Sequence, residues 1–198
     1  MKKFELTSET KINIFGKKLF RIKALISFGD VEAGETGGWV EKEGNVNQSG
    51  DAWVFGNAEV YGDARVFGDA RVSGDARVFG NAWVFGNAEV SGNAEVSGDA
   101  RVFGDAEVYG DARVFGDARV FGDAEVYGDA DYTTIHGFGT QFRTTTFFRC
   151  KDKKVRVACG CFFGTIPEFR EQVKNTRKGK IAEEYLMIAD LMEKHFEK

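Results

Sequence analysis

The sequence contains very little histidine and proline. His136 and His195 are the only histidines, and Pro167 is the only proline in 198 residues. Proline lacks the backbone N–H that a strand donates to its neighbour, so its scarcity is compatible with a chain rich in strands. The scarcity of histidine leaves two imidazoles for general-base chemistry and excludes a metal site built from three histidines.

Cysteine is also scarce, and its number is odd. Cys150, Cys159 and Cys161 are the three cysteines, a number that favours reduced thiols in a cytoplasmic protein over a disulfide framework. Together with His136 they would supply four zinc ligands, but their spacing differs from the tight pairs of structural zinc sites. The sequence therefore favours buried thiols and no metal.

Long hydrophobic runs are missing. The residues after Met1 lack an apolar core of signal-peptide length, and no stretch approaches the length of a membrane span. We expect a cytoplasmic protein without a membrane partner.

A six-residue repeat runs from Gly50 to Thr133 in fourteen copies. Each unit reads Gly, Asp or Asn, Ala, a variable residue, Val, and usually Phe, Tyr or Ser. Strict self-similarity at a fixed period is typical of a solenoid. Ala and Val lie two positions apart, so an extended strand points both inward, while Gly and Asp or Asn supply the turn.

This Gly–Asp–Ala–x–Val pattern resembles the hexapeptide repeat of left-handed parallel β-helices. The resemblance implies an all-β solenoid in which three hexapeptides form one triangular coil of eighteen residues. Roughly residues 18–60 also resemble uncharacterised bacterial hexapeptide-repeat proteins that carry a transferase label without an established substrate. The segment after Thr133 resembles the tail of phage and bacterial hexapeptide-repeat proteins of unknown function. The chain departs from the family in the position after Val, where the family usually has a small or acidic residue.

With eighteen residues per coil, outward residues eighteen apart stack about 4.8 Å from one another and form columns. One column alternates in charge and is expected to be structural: Glu59, Arg77, Glu95, Arg113 and Asp131. A second column becomes acidic: Trp53, Arg71, Glu89, Glu107 and Glu125. The third column is a basic strip: Arg65, Trp83, Arg101 and Arg119. In the second and third columns, fewer charged side chains lie next to a charge of opposite sign. These two columns are therefore the better binding candidates.

One corner of the solenoid is expected to carry an unbroken column of outward phenylalanines: Phe67, Phe85, Phe103 and Phe121. Such a stripe is a large apolar patch for a protein surface. Two interpretations remain open, because the rings either stack on one another and stiffen the coil or are covered by another element. That element would be the C-terminal helix of the same chain or another subunit. The family resemblance implies a trimer, and a dimer is the alternative oligomer.

Charge is divided unevenly along the chain. Residues 50–133 contain 6 basic and 16 acidic side chains, a net charge of −10, whereas residues 134–198 carry +5. An acidic rod disfavours direct binding of nucleic acid. Its regular carboxylate rows would instead imitate a nucleic-acid backbone toward a basic partner. Asn replaces Asp in several units, which indicates that the side-chain oxygen matters more than the charge.

Both ends of a solenoid need caps, because the terminal coils have unpaired backbone groups. Residues 11–23 predict a β-hairpin within an N-terminal β cap, residues 1–37. The β-helix is assigned to residues 38–133, and a C-terminal α+β module to residues 134–198.

The C-terminal module is predicted to contain a strand pair and two helices. The strands are expected at residues 144–150 and 155–159. Thr165 and Glu168 form a capping box for the first helix, and the second helix, from Ile181, presents one apolar face.

Because the repeat leaves few irregular residues for chemistry, a non-enzymatic function is favoured. We expect a binding or scaffolding protein, linked to phage by the resemblance, that engages a protein partner through the β-helix faces or the C-terminal module, without a cofactor. The candidate binding residues are Phe67, Phe85, Phe103, Phe121, Arg65, Trp83, Arg101 and Arg119.

Two alternatives stay open. Many proteins of the resembled family are acyltransferases with a histidine base, and His136, just after the last coil, would take that role here with acyl-CoA as the cosubstrate. The other alternative is an acidic inhibitor that mimics nucleic acid toward a host protein.

Overall fold

The computed structural model describes residues 2–197. It contains an antiparallel strand cap, a parallel β-solenoid and a C-terminal module of an antiparallel sheet and two helices. The fold class predicted from the repeat, a parallel β-solenoid with a strand cap before it and an α+β module after it, is confirmed. No helix within residues 2–197 is both long enough and apolar enough to cross a membrane.

The N-terminal cap is a hairpin of β1 (Phe4–Ile12) and β2 (Lys18–Ala24), and β2 pairs antiparallel with β3 (Thr36–Val40). The predicted hairpin is therefore present, with a first strand that begins earlier than residue 11. β3 then pairs in parallel with the first solenoid strand on its side, so the cap continues directly into the coil.

The solenoid has three sides, each a parallel sheet of strands eighteen residues apart. The first side continues β3 with β5 (Glu59–Val60), β8 (Arg77–Val78), β11 (Glu95–Val96) and β14 (Arg113–Val114). The second side contains β4 (Trp53–Val54), β7 (Arg71–Val72), β10 (Glu89–Val90), β13 (Glu107–Val108) and β16 (Glu125–Val126). The third side contains β6 (Arg65–Val66), β9 (Trp83–Gly86), β12 (Arg101–Gly104) and β15 (Arg119–Val120). A short 3₁₀ turn, Glu43–Asn45, precedes β4.

Alanine and valine fill the interior as the two-residue spacing predicts. Every Ala and Val of the repeat from Ala52 to Val126 has no exposed surface. The small volume of these side chains matches a narrow coil, and their burial supplies most of the hydrophobic stabilisation of the rod.

Glycine is required at the corners by both conformation and space. Gly68 has φ +71°, in the left-handed region, and a Cβ there would lie 3.0 Å from the nitrogen of Gly86 in the next coil. A side chain at Gly68 would therefore strain its own backbone and push the adjacent coil away.

The last repeat unit, Gly128–Thr133, does not add a strand to the solenoid. Asp129–Asp131 forms a 3₁₀ turn, and Tyr132 begins an antiparallel strand. Asp131 therefore leaves the charge-alternating column in which we expected it and forms an ion pair with Arg149 at 3.0 Å. The sequence of this unit departs from the consensus of the six-residue repeat at the point where the solenoid ends.

The C-terminal module has four antiparallel strands, two more than predicted. They are β17 (Tyr132–Phe138), β18 (Arg143–Arg149), β19 (Val155–Cys159) and β20 (Phe162–Thr165). The sheet closes the solenoid end, where Lys151 N donates to Asp123 O at 2.9 Å and Arg119 N donates to Thr146 Oγ1 at 3.1 Å.

Two helices cover this sheet, α1 (Ile166–Thr176) and α2 (Gly179–Phe196). The predicted capping box is confirmed, because Glu168 N donates to Thr165 Oγ1 and Thr165 N donates to the Glu168 carboxylate. The predicted apolar face of α2 packs with α1 and the sheet in one buried cluster that includes Phe147, Phe169 and Tyr185. This helix does not cover the phenylalanine column.

Candidate binding face and adjoining grooves

The third side of the solenoid brings the eight predicted binding residues together. Its four strands carry two parallel outward columns. The aromatic ladder is Phe67, Phe85, Phe103 and Phe121, and the Arg/Trp strip is Arg65, Trp83, Arg101 and Arg119. We call the surface formed by both columns the ladder face.

The rings of the aromatic ladder stack face to face along the rod. Successive centroids lie 4.8, 4.8 and 4.7 Å apart, with interplanar angles of 3°, 6° and 4°. Each ring is partly buried by its neighbours. Self-stacking, the structural interpretation, is therefore correct for these four rings, and each aromatic contact stabilises the rod by about 0.5–1.5 kcal/mol.

The ladder continues into the C-terminal sheet at one end. The Phe121 ring lies 4.5 Å from Phe163 on β20 and 5.8 Å from Phe148 on β18, measured between centroids. Among the described residues, the C-terminal module thus covers the last ring of the ladder, Phe121. The covering residues lie on strands and not on the C-terminal helix.

The Arg/Trp strip contacts the ladder through Trp83. The Trp83 ring meets Phe67 edge to face at 5.9 Å, and the Arg101 guanidinium lies 4.9 Å above Trp83. Within residues 2–197, Arg65, Arg101 and Arg119 form no ion pair with a carboxylate. The strip therefore presents cationic groups, of which Arg101 is held over an aromatic ring.

Each end of the ladder face has a groove. The N-terminal groove, about 540 Å³, lies between Arg65, Phe67, Trp83 and the segment around Gly44 and Asn47. The C-terminal groove, about 620 Å³, lies where Phe103, Arg119 and Phe121 meet β17 and β18. Both grooves adjoin the same face.

His136 lines the C-terminal groove and is exposed. Its Nδ1 lies 3.1 Å from Thr144 Oγ1 on the adjacent strand. In the described chain no carboxylate hydrogen-bonds to the His136 ring. The imidazole is thus accessible to a ligand but is not oriented by an acidic partner.

The three cysteines occupy different environments. Burial raises the pKa of Cys150 to about 11, and this thiol packs against the last coil beside Ala124. Cys159 accepts a hydrogen bond from Thr145 Oγ1 at 3.2 Å, and Cys161 is exposed in the C-terminal groove. No group of three or more His, Cys, Asp or Glu side chains in residues 2–197 is arranged to hold a metal ion.

The acidic column is partly neutralised by the C-terminal module. Lys151 and Lys153, in the turn between β18 and β19, form ion pairs with Glu107 at 2.6 Å and with Glu125 at 2.8 Å. Hydrogen bonds from Lys153 and Tyr109 lower the pKa of Glu125. The sequence had made this column a binding candidate, but its last two carboxylates already have partners within the chain.

The Asp and Asn residues of the corners form hydrogen bonds between coils. Asn87 donates to Asp105 at 2.8 Å, Asn81 to Asp99 at 3.0 Å, and Asn93 to Asp111 at 3.0 Å. An asparagine both separates two carboxylates and donates to one of them, which explains physically why the two residue types interchange at this position.

Sequence reasoning missed two arginines near the C-terminal groove. Arg143 begins β18, and Arg177 follows α1; both line a cavity of about 360 Å³ that shares residues with the larger groove. Both lie outside the repeat, where no periodicity pairs them with other residues. The tertiary packing of the module is what brings them together.

Comparison with known proteins supports the solenoid. Residues 70–86 match the family model of the YdcK β-solenoid repeat. This match spans about one coil, and it agrees with a β-helix family in the broad sense. No curated protein matches the chain.

Proposed function

We propose that this chain is a non-enzymatic binding protein that engages a protein partner through the ladder face. One observation carries the proposal: a stacked aromatic ladder and a strip of arginines without carboxylate partners lie side by side among the described residues, with a groove at each end. Aromatic and arginine side chains dominate the energetic centres of protein interfaces.

The rigidity of this surface favours binding. Rings that already stack at 4.7–4.8 Å lose little conformational entropy when a partner covers them. The ladder extends roughly 14 Å along the rod, at the strand spacing of a β-sheet. A partner that contacts both columns would bury apolar area against the rings and offer acceptors to the guanidiniums.

We also propose that the chain belongs to the hexapeptide-repeat class. The repeat supports membership in the hexapeptide-repeat class, and the terminal segments support a relationship to bacterial and phage proteins of that class, active in the cytoplasm. A second subunit is one partner that would cover the ladder face, as a trimer or a dimer.

A sharp test compares two arginines of the rod. Arg101→Glu reverses the charge at the centre of the ladder face, whereas Arg113→Glu makes the same change on another side of the solenoid. Partners captured from host cells by the wild-type chain are identified by mass spectrometry and purified, and their affinities are measured. We expect Arg101→Glu to weaken binding at least about tenfold, while Arg113→Glu leaves it within about twofold. Equal affinities for both variants would refute the proposal.

The acyltransferase alternative rests on one observation, the accessible His136 in the C-terminal groove. An acyl-CoA cosubstrate would have to place its acceptor near that ring. Stabilisation by acyl-CoA in a thermal-shift assay, with turnover lost in His136→Ala, would favour this enzyme over a binding protein. Absence of turnover in the wild-type chain would exclude it.

The acidic-mimic alternative draws on the carboxylate rows, but Asn residues and lysines already neutralise part of them. Salt-sensitive capture of a nucleic-acid-binding protein that is lost on Asp105→Asn and Asp123→Asn would support mimicry. Capture that these changes leave intact would exclude it.

A further inference from the structure

The arginines of the C-terminal module fall into two groups. Arg149, Arg156 and Arg170 each form an ion pair with a carboxylate, at 3.0 Å or less. Arg143 and Arg177 form none among the described residues, although both lie in the same module. The one hydrogen bond of the Arg177 guanidinium among the described residues is a long contact of 3.5 Å with the carbonyl of Thr176.

These two unpaired arginines line one cavity, and Arg119 of the solenoid lines the cavity that adjoins it. The two cavities, of about 360 and 620 Å³, share Gln141 and Arg143. Three guanidiniums from three separate elements therefore border one continuous depression. Such a size is typical of pockets for small molecules.

The Arg143 guanidinium lies close to Gly160. A Cβ on Gly160 would lie 3.0 Å from Arg143 Nη1, so the absence of a side chain there leaves room for the guanidinium. Gly160 has φ +61° in the turn between β19 and β20. Arg143 and Gly160 both line the two cavities.

We infer that this depression binds a small ligand that combines a phosphate group with a flat apolar portion. Arg119, Arg143 and Arg177 contribute three positive charges, and Asp117 contributes one negative charge to the lining. The net charge of +2 complements a phosphate monoester, which carries about −1.5 to −2 near pH 7. Guanidinium groups match phosphate oxygens in a bidentate geometry.

The wall beside the arginines accepts the apolar portion. Phe103 and Phe121 line the larger cavity, and Gln141 and Thr144 offer neutral polar groups. Stacking partners already occupy the faces of these two rings, so a flat ligand ring would meet their edges, an arrangement that aromatic pairs favour. The depression shares Arg119, Phe103 and Phe121 with the ladder face, but Arg143 and Arg177 lie outside that face, so variants of these two arginines test ligand binding separately from protein binding.

Phenyl phosphate is a suitable probe, since it has both required parts. Calorimetric titration of the full chain at low salt would compare it with inorganic phosphate and benzoate. We expect phenyl phosphate to bind more tightly than either. Arg143→Gln and Arg177→Gln should each weaken it about tenfold, the effect of losing one charge-assisted contact. Arg113→Gln, which removes the same charge from another side of the rod, should change the affinity less than about twofold.

Several outcomes would overturn the inference. They are no binding of phenyl phosphate up to about 10 mM, benzoate binding as tightly as phenyl phosphate, or the same affinity in Arg143→Gln and Arg113→Gln. Circular dichroism establishes that each variant is folded. If Arg143→Gln does not fold, Arg177→Gln, whose side chain is exposed after α1, carries the comparison.

Discussion

The phenyl rings of Phe85 and Phe103 lie parallel with their centroids 4.8 Å apart, at the same position of successive coils. Their spacing is the spacing of the strands that carry them. The side chains therefore stack without displacing the backbone, and the surface they form is as regular as the sheet beneath it. This relationship connects the repeat of the sequence with the rigid face that we propose for binding.

Phe103→Ala removes a ring that stacks on both Phe85 and Phe121. We expect the free energy of unfolding to fall by about 1–3 kcal/mol, because two aromatic contacts and their buried area are lost. Urea denaturation followed by circular dichroism measures the change. Phe115→Ala is the matched control, since Phe115 occupies the same repeat position on another corner and is 56% exposed. A loss as large in Phe115→Ala would show that ladder stacking contributes nothing specific.

Gly37 lies where the cap meets the first coil, and no side chain fits there. A Cβ would approach Trp53 Cζ2 to 2.6 Å and Ile22 Cγ1 to 2.7 Å. Gly37→Ala should therefore destabilise the chain by about 1–3 kcal/mol through overpacking around the fully buried Trp53. Gly44→Ala has nothing within 4 Å of its Cβ and should be nearly neutral in the same thermal melts. If the two alanine variants melt alike, the packing account of Gly37 is wrong.

Asn87 lies between Asp69 and Asp105 in one corner column and donates to Asp105. Asn87→Asp would complete a row of five carboxylates, from position 51 to position 123, and remove that hydrogen bond. We expect a loss of about 0.5–1 kcal/mol in low salt, which shrinks at about 1 M salt where charges are screened. Asn57→Asp has a carboxylate neighbour, Asp75, and no amide bond to lose, so its effect should be smaller. A loss in Asn87→Asp that does not respond to salt would contradict the electrostatic explanation.

Lys3 is buried beneath the cap, where its Nζ donates to the carbonyls of Gly50 at 3.0 Å and Ala52 at 2.8 Å. Burial lowers the pKa of Lys3 to about 8 from 10.5. Between about pH 8 and 10.5 the unfolded chain holds a proton that the folded chain has released, so this residue makes stability rise with pH in that window.

Comparison with Lys3→Met isolates this effect, because every other titrating group is common to both proteins. The stability of the wild-type chain relative to Lys3→Met should increase by on the order of 2 kcal/mol from pH 7.5 to pH 10. Chemical denaturation at each pH gives the difference. A difference that is constant or falls over that range would show that Lys3 keeps its ordinary pKa in the fold.

The regular part of this molecule could be predicted from the sequence, whereas its irregular part could not. The period of six, with Ala and Val two apart, was enough to predict the buried interior and to place Phe85 over Phe103, because every coil repeats the same geometry. The column partners eighteen residues apart follow from the same periodicity.

The contacts at the two ends of the solenoid depend on tertiary packing, which a local sequence pattern does not predict. Trp53 belongs to an outward column by its position in the repeat, yet Phe4 and Phe28 of the cap cover it completely. Likewise, Lys151 reaches Glu107 only because the C-terminal sheet folds against the last coils. The groove beside His136 arises from the same packing, so Arg143 and Arg177 could not be predicted from the sequence, whereas Arg119 followed from the repeat.

The most direct test of the ladder face is hydroxyl-radical footprinting of the chain with and without its purified partner. Oxidation of solvent-accessible rings is measured residue by residue by mass spectrometry. Binding through this face predicts protection of Trp83, Phe85 and Phe103, while the exposed Phe115 and Tyr127 on the other corners keep their rates. Protection of Phe115 or Tyr127, with unchanged oxidation of Trp83 and Phe103, would contradict the account.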